Sequence, residues 1–131
     1  MKIHLCIPHR SGVGGPTFGW LGVTLLPGGL VSDYSDVEGC CWVDPARAEL
    51  LECFFKGKAD GLLYVDADIS SPMKGADVVK KMIDVDLPIV ALPYMKRHSE
   101  TLCVERRNGE KPFERNGIRA LSINSCGLGL T

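Results

Sequence analysis

The chain of 131 residues lacks a charge excess of either sign, a long hydrophobic run and any C-x-x-C spacing. Fifteen Lys and Arg against sixteen Asp and Glu leave a net charge of −1, so there is no electrostatic case for nucleic acid or an anionic membrane as partner. No apolar run approaches the roughly 20 residues that cross a bilayer. The N-terminal segment reaches Pro8-His9-Arg10 too soon for a signal peptide, and the expected location is the cytoplasm. Six cysteines would permit disulfides in a secreted chain, but nothing in this sequence points to secretion. They are expected to be reduced and mostly structural, with Cys6 and Cys53 acting as small hydrophobes inside apolar segments. Internal repeats and low-complexity segments are also lacking. Ser11-Gly12-Val13-Gly14-Gly15-Pro16 is glycine-rich but has no Gly-Lys-Ser/Thr ending of a P-loop, so it reads as a mobile loop.

What is present is a composition of 45% hydrophobic and 24% charged residues, ordinary for one soluble globular domain spanning 1–131. Its centre is Gly61-Leu62-Leu63-Tyr64-Val65-Asp66-Ala67-Asp68-Ile69-Ser70-Ser71-Pro72. A short apolar run bounded by turn residues reads as a buried strand of an α/β sheet. Asp66 and Asp68 fall where the strand ends, at the carboxyl edge where open α/β sheets bind ligands. On an extended backbone, residues i and i+2 share a side, so the two carboxylates converge and their repulsion favours a cation between or beside them. Hard oxygen ligands suit Mn²⁺ or Mg²⁺, which complete their shells with water and substrate phosphates. The bland alternative is that these aspartates cap the next helix or hold a turn.

In chain order, Lys2 to Ile7 is a first, central strand that Pro8 ends. Phe18 to Leu26 is apolar without clean periodicity, read as a short helix, and Leu30 to Tyr34 as a short second strand with Asp33 or Asp36 near its end. Asp44-Pro45 marks a helix start by N-cap and first-turn proline. That helix runs from about Pro45 to Lys56, with Ala46, Leu50, Phe54 and Leu51, Phe55 as its apolar stripe and Gly57 as its stop. Ser71-Pro72 opens another helix to about Asp84, with Val79, Met82 and Ile83 facing the core. Leu87 to Leu92 reads as a further buried strand, ending in the polar patch Pro93-Tyr94-Met95-Lys96-Arg97-His98. Beyond Thr101 the pattern becomes a β meander. Leu102 to Arg106 and Ile118 to Ile123 are its strands, and Asn108-Gly109 and Asn116-Gly117 its turn signals.

Three segments together resemble the nucleotide-sugar glycosyltransferases of the GT-A fold: Ile3-His4-Leu5-Cys6-Ile7-Pro8, the helix Ala46-Arg47-Ala48-Glu49-Leu50-Leu51, and Ala59-Asp60-Gly61 through Asp68. Ala91-Leu92-Pro93-Tyr94-Met95-Lys96-Arg97 and Ser125-Cys126-Gly127-Leu128-Gly129 are similar to later strands of phage and bacterial members. The resemblance implies a Rossmann-like, GT-A-type mixed and mostly parallel sheet flanked by helices, followed by the C-terminal β meander. It implies a D-x-D motif holding Mn²⁺ or Mg²⁺ on the diphosphate of a UDP- or GDP-sugar, with Asp68 the stronger ligand and Asp66 on the ribose or a metal-bound water. Pro8, His9 and Arg10 would line the nucleotide pocket. Arg47 would reach a phosphate or ribose or anchor the acidic cluster, its alternative being an ion pair with Asp44 or Asp60. Arg97 and His98 would meet the diphosphate or acceptor, unless they are simply solvated.

The implied activity is metal-assisted glycosyl transfer to an unknown acceptor. Relatives usually carry the catalytic base beyond the segment where this chain stops, so the acceptor half is expected to be short or missing. An open sheet edge after Thr131 favours a homo-oligomer. Two other readings stand beside this one. One is a non-catalytic binding or assembly module on the same fold. The other is a phosphohydrolase of the haloacid dehalogenase type, with the first aspartate as nucleophile and the second as general acid. That type carries its D-x-D on the first strand, with threonine or valine two residues later, whereas here the pair is mid-chain and Ser70 stands in that place.

Overall fold

The computed structural model describes residues 1–39, 43–94, 101–106, 109 and 111–126. Its frame is a parallel sheet of three strands in the order β2-β1-β3: β1 (Ile3–His9), β2 (Val31–Glu38) and β3 (Gly61–Tyr64). The first five residues of β1 are all buried, as a central strand with both faces covered requires. Ile3, Leu5 and Ile7 face one layer, where they form the core with Trp20, Leu21, Leu25, Leu63, Val65, Val78, Val79 and Met82. His4 and Cys6 face the other layer: the His4 ring meets Phe54 edge-on at 6.2 Å, and the Cys6 thiol donates to the Leu50 carbonyl at 3.8 Å. Burial pushes that thiol up to about 12, helped by nearby Cys53, so Cys6 is a packing residue rather than a nucleophile. Cys6, Cys53 and Cys103 are unbridged; the side chains of Cys40, Cys41 and Cys126 lie outside those described.

Two helical layers sandwich this sheet. The first joins helix α1 (Gly15–Trp20), a π-helical turn over Leu21–Leu25 and a short 3₁₀ turn over Leu26–Gly28 to helix α3 (Gly75–Asp84). The second is helix α2 (Val43–Lys56). Its apolar stripe is narrower than expected: Ala46 and Leu50 are buried, but Leu51 and Phe55 are exposed. Fully burying a leucine such as Leu50 or Leu25 stabilises by about 1.5–3 kcal/mol. α3 starts at Gly75 rather than Ser71-Pro72, because the Gly75 amide donates to the Thr24 hydroxyl at 2.7 Å and so docks the helix start on the π turn.

Other expectations are corrected by the hydrogen bonding. Pro8 does not end β1, which continues to His9 alongside β2. Val65 N–H donates to the Cys6 carbonyl, so position 8 also faces the β3 side, where β3 has already ended and no ladder donor is needed. β2 is longer than Leu30–Tyr34, and its alternating half-buried and exposed residues identify a strand covered on one face. Leu87–Leu92 forms no strand: Pro88 and Pro93 remove donors, and Ile89 is 83% exposed, while Val90 and Leu92 pack against the core.

The C-terminal part is nested rather than a meander. β4 (Val104–Arg106) pairs with β7 (Ile123–Cys126), and β5 (Phe113–Arg115) pairs with β6 (Ile118–Ala120), both antiparallel. Among the described residues the parallel and antiparallel strands therefore form separate sheets, not one mixed sheet. Asn116 and Gly117 both have positive φ, as the two-residue hairpin turn between β5 and β6 demands. Asn108, the other expected turn, and the sheet edge after Thr131 lie outside the described residues. Within those residues no helix is long and apolar enough to cross a membrane.

Candidate functional site

Because β1, β2 and β3 run parallel, their carboxyl ends share one edge, and α2 begins there. β3 stops at Tyr64. Val65 makes a last bridge to β1, and the chain then turns, with Ile69 N–H donating to the Asp66 carbonyl at 3.1 Å. Asp66-Ala67-Asp68 is therefore a tight turn on the ligand-binding edge, not a continued strand, and the extended-chain argument for converging carboxylates does not apply to it. The glycine-rich loop closes against this turn. Gly14 N–H donates to the Ala67 carbonyl at 2.8 Å, and a Cβ at position 14 would stand 3.1 Å from that oxygen. At its other end, Gly12 N–H donates to His9 Nδ1 at 3.0 Å. The segment expected to be a mobile loop is thus fastened at two amides.

Alternation along β3 places Tyr64, and after it Asp66, on the α2 side. Arg47 Nη2 donates to Asp66 Oδ1 at 2.9 Å, with the two side chains 15% and 32% exposed. Tyr64 supports this pair: its hydroxyl donates to the Arg47 carbonyl at 2.7 Å, and its ring lies 5.5 Å from the guanidinium carbon, within cation–π range. Burial raises the Asp66 pKa above the ordinary 3.8; Arg47 pulls it down by charge and hydrogen bond, and the Asp68 charge pushes it up again. Asp68 itself is exposed.

The Asp66 and Asp68 charges repel across the turn, and a cation beside it would offset that repulsion and the burial cost of Asp66. Among the described residues no three His, Cys, Asp or Glu side chains cluster. Asp66 and Asp68 are thus the only two carboxylates that the described residues bring to this turn for an ion.

Of the residues the sequence singles out, Arg47, Asp66 and Asp68 come together. Arg47 pairs with Asp66, while Asp60 accepts from the Lys2 amide at 2.6 Å. Pro8 and His9 sit at the carboxyl end of β1 and Arg10 is exposed just beyond it. His9 engages a different acid, its Nε2 lying 2.9 Å from Asp36 Oδ2 on β2. Arg97 and His98 lie outside the described residues.

Sequence reasoning missed Tyr94 as a neighbour of the aspartates. Its hydroxyl is pushed up to about 12, first by a hydrogen bond with Cys103, then by burial, and further by the charges of Cys103, Asp66 and Asp68. The Cys103 amide also donates to the Tyr94 carbonyl at 2.8 Å. The only sequence signal was an aromatic residue within a polar patch.

No protein-family model matches the chain, and no curated protein matches it. Its fold is similar to that in a structure described as "Crystal Structure of A197 from STIV", with a TM-score of 0.67 and 19% sequence identity. The match covers 99% of this chain and 63% of that one, so the chain spans less than two thirds of that protein's length. At such identity the likeness speaks to the fold, a Rossmann-like α/β arrangement.

Proposed function

We infer that the chain is a glycosyltransferase-like domain of the GT-A type. It binds the diphosphate of a UDP- or GDP-sugar through Mn²⁺ or Mg²⁺ at Asp66 and Asp68, for transfer of the sugar to an acceptor. The observation that carries this reading is the Asp66–Ile69 turn at the carboxyl edge of a parallel sheet, with Arg47 fixing Asp66 beside an exposed Asp68. When bound, the cation supplies Lewis-acid neutralisation of the charge growing on the departing diphosphate. Asp68, exposed in the turn, would ligate it. Asp66, oriented by Arg47 and Tyr64, is placed to meet the ribose or a metal-bound water. Pro8, His9 and Arg10 stand along the same edge to line the nucleotide.

Calorimetric titration with UDP and with GDP, each in Mn²⁺ and in chelator, tests the reading. Binding is expected only with the metal, and for one base in preference to the other. Its affinity should fall on acidification, beginning above the ordinary aspartate range, because the raised Asp66 pKa lets that carboxyl protonate, and lose its role in the site, at a higher pH. Metal-independent binding, or none with either nucleotide, would contradict it. Nucleotide binding without hydrolysis or transfer of the matching sugar donor would single out the non-catalytic module on the same fold.

A further inference from the structure

His9 is wired on both ring nitrogens. Nε2 lies 2.9 Å from Asp36 Oδ2, and Nδ1 accepts the Gly12 amide at 3.0 Å. A backbone N–H is only a donor, so Nδ1 must be bare, and the single proton of the neutral ring sits on Nε2, donated to Asp36. The tautomer is therefore dictated by the network. The His9 side chain is only 7% exposed, whereas its partner Asp36 is 42% exposed. Gly12 itself has φ of +114°, a conformation that side chains rarely adopt. The glycine loop is thus drawn over the strand ends by two amides, one on His9 and one on the Ala67 carbonyl of the candidate metal turn.

We propose that His9 is a positioning residue, a proton-sensitive clasp: neutral, it fastens the glycine-rich loop through Gly12, and protonated at Nδ1 it releases that loop. Protonation puts N–H against N–H where an acceptor had been, so the Gly12 bond is lost outright rather than weakened, while Nε2–H keeps its bond to Asp36. Three charged groups stand around the ring. Asp36 on β2 accepts from it and is also hydrogen-bonded by Tyr34, two residues before it on the same strand. Glu38 pairs in register with His9 across the sheet, and Arg10 follows it in the chain. The loop 11–15 carries no charged residue. That release would also loosen the donor site rests on the function proposed above; the clasp itself does not, and it is tested without nucleotide.

The experiment is a titration of the ¹⁵N-labelled protein from about pH 8 to pH 5, the interval in which imidazoles change charge. The expected result is a neutral His9 with its proton on Nε2, and a Gly12 amide signal that moves with the His9 ring titration. Signals of the buried Leu5 and Val79 should stay fixed, reporting an intact core. In His9→Asn, whose amide oxygen accepts in the place of Nδ1 but cannot be protonated, the Gly12 signal should lose its pH dependence. In Asp36→Asn, which keeps an acceptor for Nε2–H, the neutral ring should keep its proton on Nε2 and Nδ1 should still accept the Gly12 amide. A neutral ring protonated on Nδ1, a Gly12 signal indifferent to His9, or an unchanged Gly12 titration in His9→Asn would overturn the proposal. Failure of nucleotide to bind would leave these readouts unaffected and would count against the function alone.

Discussion

Asp68→Ala is expected to lower metal-dependent nucleotide affinity by more than roughly 100-fold, beyond the 10–100-fold that loss of an outer-shell partner costs. The side chain is exposed in the turn after β3, so its removal leaves no cavity, and the loss of a surface interaction should change stability by no more than about 1 kcal/mol. That separation makes Asp68 a better probe than Asp66. Truncating Asp66 would also remove an ion-pair partner from a guanidinium that is 15% exposed, mixing a folding penalty with the loss of binding. Affinity measured by calorimetry and stability by urea denaturation distinguish the effects. An Asp68→Ala protein that binds UDP and GDP as the parent does would remove the metal assignment.

Gly75→Ala is expected to damage the fold although it adds a single methyl group. An added Cβ would stand 2.7 Å from Leu25 Cβ, 3.1 Å from Thr24 Oγ1 and 3.2 Å from Leu25 Cα. One of these is backbone and Leu25 is fully buried, so the helix start must move off the π turn and lengthen the Gly75–Thr24 hydrogen bond. Overpacking of this kind costs about 1–3 kcal/mol. For a chain of this length that is a drop in Tm of roughly 4–10 °C, more than offsetting the helix propensity that alanine adds at a first-turn position. Gly22→Ala is the control, since a Cβ there meets nothing within 4 Å, and it should match or exceed the parent. Thermal unfolding of both variants checks the claim, and equal midpoints would contradict it.

The elements that organise the site were legible because their signals are local. The run from Leu62 to Val65 is apolar, then two acids interrupt it; the α2 core positions Ala46 and Leu50 recur at helical spacing. The π turn was not legible as such. Its i→i+5 bonding carries the apolar segment Leu21–Leu25 off the helical period, which is why Phe18 to Leu26 showed no clean pattern. Leu87–Leu92 failed for the opposite reason. Its composition suits a strand, but two prolines and an exposed Ile89 leave it without a ladder.

Of the site, the Arg47–Asp66 pair was within reach as one of several roles for Arg47, because alternation along β3 turns Asp66 towards α2. The His9–Asp36 contact was not, since it depends on the register that aligns His9 with Glu38, and parallel register is not written in either strand alone. Tyr94 reaches the field of Asp66 and Asp68 only through the path the chain takes beyond α3, which no spacing in the sequence encodes.

The central claim is that a divalent cation sits at the Asp66–Asp68 turn with a nucleoside diphosphate, and paramagnetic broadening locates such an ion directly. Substoichiometric Mn²⁺ added to ¹⁵N-labelled protein with the nucleotide should broaden the amides of Asp66, Ala67 and Asp68 first and Gly14 next. The amides of Lys80 and Lys81 on α3 should stay sharp, and excess Mg²⁺ should restore the spectrum. Sharp signals at 66–68 under those conditions, or broadening centred elsewhere in the chain, would contradict the assignment.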